Sequence, residues 1–442
     1  MGQKSTNLTP EVWGGIECSF NRVGDQYMDQ LLFSDHYRRG VADIERFASL
    51  GITAMRYPVL WERHKTAPSA QIDWSWTEQQ LHAMQHHRIR PIVGLLHHGN
   101  GPPYTNLLRE SFADDFAAYA LEVARKFPWI EYYTPINEPL TTARFCGLYG
   151  LWFPHCRNDQ AFARILLNQM KGTVLAMEAI RTVNPHAKLL QTEDFSKTFS
   201  TPLLDYQADF ENERRWLTID LLFGKVMRGH YFWAYFKSAG IGEKELAFFS
   251  DHPCPPHIIG ADYYHTSERY LDEDIMRYPA EKRGGNGRHQ YADVEAVRIR
   301  NLHDRGPEYR LRECWDRYKL PLAVTEVHVN GSPDDQIRWF SEVWSIARKL
   351  LAEGIPVKGV TAWALLGSYG WNNLLVYPNG HYEPGAFHIS AGIPVATPLV
   401  PFIRSLAENP ALTALPDASK SWWHAEERFI YDTVLSNWRS IA

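Results

Sequence analysis

The sequence predicts an α/β fold, a single (β/α)8 TIM barrel with long βα loops in its second half, and three observations carry that expectation. Short β-rich runs alternate with amphipathic helical stretches, the pattern of βα units around a parallel sheet. Eight such runs can be placed along the chain. Two of them, Tyr133-Thr134-Pro135-Ile136-Asn137-Glu138-Pro139 and Ala323-Val324-Thr325-Glu326-Val327-His328, stop abruptly at a glutamate. A barrel strand delivers a carboxylate to the barrel mouth in this way.

The first strand is expected over 13–19. A helix over 37–50 follows, with Val41, Ile44, Phe47 and Leu50 at helical spacing and Gly51 as its stop. Strands two and three fall at 54–58 and 91–97, followed by a helix over 112–127 with a similar apolar stripe. Strand four, 132–137, leads into Glu138. The helix over 160–183 ends at Asn184-Pro185. Strand five spans 188–192, and a long connection with a helical stretch at 211–223 separates it from strand six at 258–264. Another long connection, containing the Gly-rich 282–288, leads to strands seven and eight at 322–325 and 359–363. No linker, low-complexity tract or short repeat interrupts the chain, so 1–442 reads as one domain.

Composition narrows the partners. A net charge of −5 over 442 residues argues against nucleic acid and against an acidic membrane surface. No window approaches the ~18 uncharged apolar residues of a membrane span. Five scattered cysteines without Cys-x-x-Cys spacing favour reduced thiols and a cytoplasmic protein. The opening segment has no apolar stretch for a signal peptide. It fits the loose N-myristoylation pattern through Gly2 and Thr6, but no second membrane signal accompanies it. The 16 Trp suit either a large core or a carbohydrate cleft, because sugar C–H faces stack on indoles.

The strand ends supply Arg56, His97, His98, Asn137, Glu138, Glu193, Asp194, Asp262, Tyr263, Tyr264, His265, Glu326 and Trp363. That is an acidic, hydrogen-bonding, aromatic cup without a phosphate-cradling turn. Two facing carboxylates are what glycosidic cleavage needs, one to protonate the leaving oxygen and one to attack. His97, His98, His265 and His328 could be metal ligands, but the first strand has no His-x-His, so neither metal nor cofactor is expected.

From Trp13 to Trp371 the chain resembles family 1 of the glycoside hydrolases, the retaining β-glycosidases. Trp13-Gly14 resembles the opening Trp-Gly, with Asn21 where a sugar-gripping glutamine normally stands. Arg56-Tyr57-Pro58-Val59-Leu60-Trp61 looks like the segment whose arginine bonds the nucleophile. In the third-strand match, His97 takes the place of a hydroxyl-binding histidine, while His98 replaces a tryptophan. Thr134-Pro135-Ile136-Asn137-Glu138-Pro139 is similar to the acid/base motif. Ile259-Gly260-Ala261-Asp262-Tyr263-Tyr264 resembles Gly-x-Asn-Tyr-Tyr, with Asp262 for asparagine and Tyr264 as the tyrosine that touches the nucleophile. Val324-Thr325-Glu326 matches the nucleophile motif up to the glutamate. The segment from Trp363 to Trp371 resembles the eighth-strand motif, with Gly370 in place of a sugar-gripping glutamate.

The resemblance implies a retaining β-glycosidase that hydrolyses or transfers a β-linked glycosyl residue, with a small carbohydrate or glycoside as partner. Glu326 attacks, held ionised by Arg56 and Tyr264; Glu138 is acid and base; Asn137 donates to the 2-hydroxyl. Asn21, His97, His98, Asp262, Trp363, Trp371 and Glu193 are the expected substrate contacts, Glu193 or Asp194 replacing the grip missing at Gly370. A catalytically weakened carbohydrate-binding or accessory barrel is the alternative.

Overall fold

A computed structural model describes residues 9–431, so the Gly2–Thr6 pattern lies outside the described residues. Eight parallel strands close a barrel: β1 (Glu11–Gly15), β2 (Ala54–Pro58), β3 (Arg90–His97), β4 (Tyr132–Asn137), β5 (Lys188–Asp194), β6 (Ile258–Asp262), β7 (Leu322–Val327) and β8 (Val357–Ala362). They neighbour one another in chain order, and β8 returns to β1. All eight expected strands overlap these. The largest difference is at β1, which ends at Gly15 and leaves 16–19 irregular, because Gly15 O accepts from Leu365 N in the segment after β8. The sixth strand ends at Asp262, so Tyr263 and Tyr264 stand just above the sheet.

The amino ends of the strands are sealed by an interior layer of Trp13, Ala54, Ile92, Leu190, Ile258 and Ala323. The Trp13 indole lies over Gly359 of β8, where an added Cβ would stand 2.3 Å from the ring. Only glycine fits beneath it. Chemistry in such a barrel belongs to the carboxyl end.

The helices around the barrel follow their apolar stripes. Phe112–Lys126 buries Phe112, Phe116, Tyr119 and Val123. It packs against Asp159–Val183, whose first turn is capped by the Asn158 side chain accepting from Ala161 N. The helix expected over 211–223 is instead two, Asp205–Arg214 and Leu217–Leu222. At the break, Arg215 donates to Phe195 O and its guanidinium lies 4.5 Å from the Trp216 ring centre.

The long second-half loops carry structure that periodicity did not reveal. Thr198–Ser200, Arg269–Asp272, Arg283–Gly285 and Gln290–Glu295 form a four-stranded sheet with a small core of Tyr270, Tyr278, Ala292, Val294 and Ile299. The Gly-rich segment thus supplies an edge strand. Among the described residues no helix is long and apolar enough to cross a membrane.

Candidate active site

Two local distortions aim the glutamates. Glu138 follows β4 with φ +39°, a left-handed conformation that a non-glycine residue adopts at a cost of about 1–3 kcal/mol. Pro139 then starts the short helix Pro139–Ala143, whose first position needs no N–H. On β7 the pairing with β6 shifts register between Val324 and Glu326, setting Glu326 opposite Asp262. A bulge of this kind re-aims a side chain at a barrel rim.

One oxygen from each of Glu138, Asp262 and Glu326 lies within 4.8 Å of the others, and all three residues are buried. Arg56 ties the network together. Its Nη1 donates to Glu326 Oε1 at 2.8 Å and to Thr325 O at 2.9 Å, while Nη2 donates to Asn137 Oδ1. Tyr264 donates to the other Glu326 oxygen at 2.5 Å. Thr192 fixes the Asn137 amide by donating to Oδ1 at 2.7 Å, leaving Nδ2 to donate to His97 Nε2 at 3.2 Å. Thr325 Oγ1 donates to Asp262 Oδ1 at 2.6 Å; Asp262 Oδ2 has no partner.

Electrostatics follow from that crowding. Burial, then the charges of Asp262 and Glu326, push the Glu138 carboxyl well above the usual carboxylate range. Burial and Glu326 do the same to Asp262. Burial opposes the Arg56 charge, but Asp262 and Glu326 outweigh it and keep its pKa raised. Burial pushes His97 well below its ordinary value and, with Arg56, takes His98 to about 3, so both rings are neutral. A protonated Glu138 beside donors converging on Glu326 is an acid and a carboxylate held together.

The aromatic residues line one side. Trp363 stacks on His97 with centroids 5.8 Å apart, and Arg56 lies 4.5 Å from the Trp363 ring centre. His98 packs edge-on to Trp371 at 5.6 Å, accepts or donates at Thr142 Oγ1, and holds Nε2 3.7 Å from Glu138.

Two expected contacts do not reach the cavity. Asn21 has 0% exposure, and its amide donates to Leu375 O in the loop after β8. Glu193 likewise has 0% exposure: its Oε2 accepts from Leu140 N and Thr218 Oγ1, so it braces the helix that starts after Glu138. Asp194 bends back to accept from Ser196 N. The four histidines do not converge as a ligand set. His265 is packed among Trp339, Trp422 and Trp423, and His328 bonds Glu383.

Glu17 was missed. It lies in the irregular segment after β1, is 95% buried, and holds Oε1 4.0 Å from His97 Nε2. The signal was a single carboxylate within the uncharged run from Val12 to Phe20.

The sequence pattern of "Glycosyl hydrolase family 1" matches residues 18–379. An aryl-phospho-beta-D-glucosidase of Bacillus subtilis is 24% identical over 365 residues, covering 74% of this chain and 75% of its own length. A beta-glucosidase of an Agrobacterium species is 23% identical over 398 residues, 83% of each chain. Among solved structures, a family 1 β-glucosidase from Thermotoga maritima bound to isofagomine lactam superposes with a TM-score of 0.72 at 18% identity, covering 92% of this chain and 99% of that one.

Proposed function

The chain belongs to glycosyl hydrolase family 1 and is a β-glucosidase-like glycoside hydrolase, and we propose that it works with retention by double displacement between Glu326 and Glu138. One observation carries this reading: oxygens of the two carboxylates lie within 4.8 Å of each other at the ends of β4 and β7. Retaining enzymes bring their carboxyls to about 5–5.5 Å, whereas inverting ones leave about 6.5–9.5 Å for a water.

Glu326 attacks the anomeric carbon as Glu138 gives its proton to the departing oxygen. The C–O bond to the aglycone breaks and a glycosyl ester on Glu326 forms. The neighbouring acids keep Glu138 protonated for this step. Glu138, now ionised, takes a proton from water or an acceptor alcohol, which displaces Glu326 with the β configuration restored. Asn137, next to the acid and with Nδ2 3.2 Å from His97 Nε2, is the donor this mechanism assigns to the 2-hydroxyl.

The relatives include both plain and phospho-β-glucosidases. The binding-only alternative has nothing to support it, because Arg56, Asn137, Glu138, Tyr264 and Glu326 are all assembled.

A panel of aryl β-glycosides, followed by phenol release and by NMR of the first-formed sugar, tests the proposal. Release of the β anomer is expected. Initial release of the α anomer, or no phenol above background, overturns it.

A further inference from the structure

We propose that Glu17 grips the hydroxyl groups on carbons 3 and 4 of the terminal sugar. The inference rests on the glycosidase reading and names which hydroxyls that site selects.

The order of side chains around the mouth assigns the hydroxyls. Glu138 and Glu326 flank carbon 1, and Asn137 faces the 2-hydroxyl. His97 Nε2 accepts from Asn137 Nδ2 at 3.2 Å, so His97 stands one hydroxyl further round. Glu17 Oε1 is 4.0 Å from that same nitrogen, one position further again. A carboxylate presents two acceptor oxygens side by side, which suits a pair of neighbouring hydroxyl donors.

Glu17 is held ready for this. Ser19 N donates to its Oε1 at 2.9 Å, which orients the carboxyl from its own loop. Burial and the nearby Glu326 charge raise the Glu17 pKa, while Ser19 and the Trp371 indole N–H, which is buried and completes no hydrogen bond, pull it the other way. Glu17 also lacks a cation: its one ion-pair neighbour among the described residues is His97, which is neutral. A buried carboxylate with no charged partner is destabilising. Packing alone gives no reason for a glutamate here, whereas a sugar supplies the missing donors.

The other candidates for the grip are excluded by their surroundings. Glu193 and Asn21 have no exposed surface. Gly370 has no side chain, so that position supplies no charged partner to the sugar.

The test uses the full chain and a set of 4-nitrophenyl β-glucosides: the parent and its 3-deoxy, 4-deoxy and 6-deoxy forms. In the wild type, kcat/KM is expected to fall about 10- to 100-fold for 3- or 4-deoxygenation and about threefold or less for 6-deoxygenation. In Glu17→Gln the parent should lose a similar factor, while the 3- and 4-deoxy penalties shrink to about threefold. Equal loss of all four substrates in Glu17→Gln, or a wild type that tolerates 3- and 4-deoxygenation as well as 6-deoxygenation, overturns the assignment. Binding of the matching S-linked glycosides by titration calorimetry separates the two levels. If the wild type cleaves nothing, the glycosidase reading falls, and equal affinity of wild type and Glu17→Gln would independently dismiss Glu17.

Discussion

Glu138 and Glu326 stand at strand ends, Glu326 tied with Arg56, Asn137 and Tyr264 into one hydrogen-bonded network, whereas Glu17, Asn21 and Gly370 sit on chain that has left the barrel. On the reacting side, strand register sets each position: Glu326 opposite Asp262, and Asn137 opposite His97. A shift of one residue would turn every side chain to the other face. On the far side, positions depend on loop contacts such as Asn21 with Leu375 and Glu17 with Ser19. Under the proposed mechanism, chemistry is thus locked to the sheet, and sugar choice is free to change with the loops.

The sharpest break comes from the reacting side. Glu326→Gly should lower kcat by about 10⁵-fold or more for every glycoside, because the attacking group itself is gone. Any one substrate that keeps wild-type turnover would move the nucleophile elsewhere. Glu138→Ala should lose about 10²–10⁴-fold with alkyl aglycones and far less with nitrophenyl ones, which leave without a proton. Added azide should restore rate as a β-glycosyl azide in Glu138→Ala and as an α-glycosyl azide in Glu326→Gly. The same anomer from both variants would dissolve the division of labour.

The loop side should answer more mildly. Gly370→Glu places a carboxylate at a left-handed position, so a stability loss of about 1–2 kcal/mol is expected by chemical denaturation. The ratio of kcat/KM for glucoside over xyloside should rise about tenfold or less, since one charged hydrogen bond is added at carbon 6. An unchanged ratio would mean that another group already holds that end.

The smallest expected effect lies behind the network. Asp262 helps raise Glu138, so Asp262→Asn should lower the pKa of the acid and move the alkaline limb of kcat/KM to lower pH. An unmoved limb would detach Asp262 from the acid. Asp262 itself has a raised pKa in the fold, so its ionisation opposes folding above the ordinary carboxylate range. The asparagine variant should match wild type in Tm at acid pH and exceed it by roughly 1–2 °C as pH rises. A gain that is constant with pH would point to packing instead.

Much of the barrel was legible, because short, nearly continuous apolar and β-branched runs ending in polar residues are a local trace that needs no distant partner. Glu138 and Glu326 were legible for the same reason, each being the first charge after an apolar strand. The four-stranded sheet over the second-half loops was not, because Thr198–Ser200 and Arg283–Gly285 are too short to show alternation and exist only by pairing with distant chain.

By itself the sequence determined the eight-strand order and the pair of strand-end glutamates, since both follow from local hydrophobic pattern and backbone propensity. Tertiary structure alone decided which carboxylates face the cavity. Glu193 ends a strand as Glu138 nearly does, yet Leu140 and Thr218 close over it. Glu17 lies beyond a strand that stops early, yet it is carried to His97 because β1 gives up its last residues to contact the chain after β8. Exposure and partner are properties of segments brought together from far apart in the chain, and no local pattern encodes them.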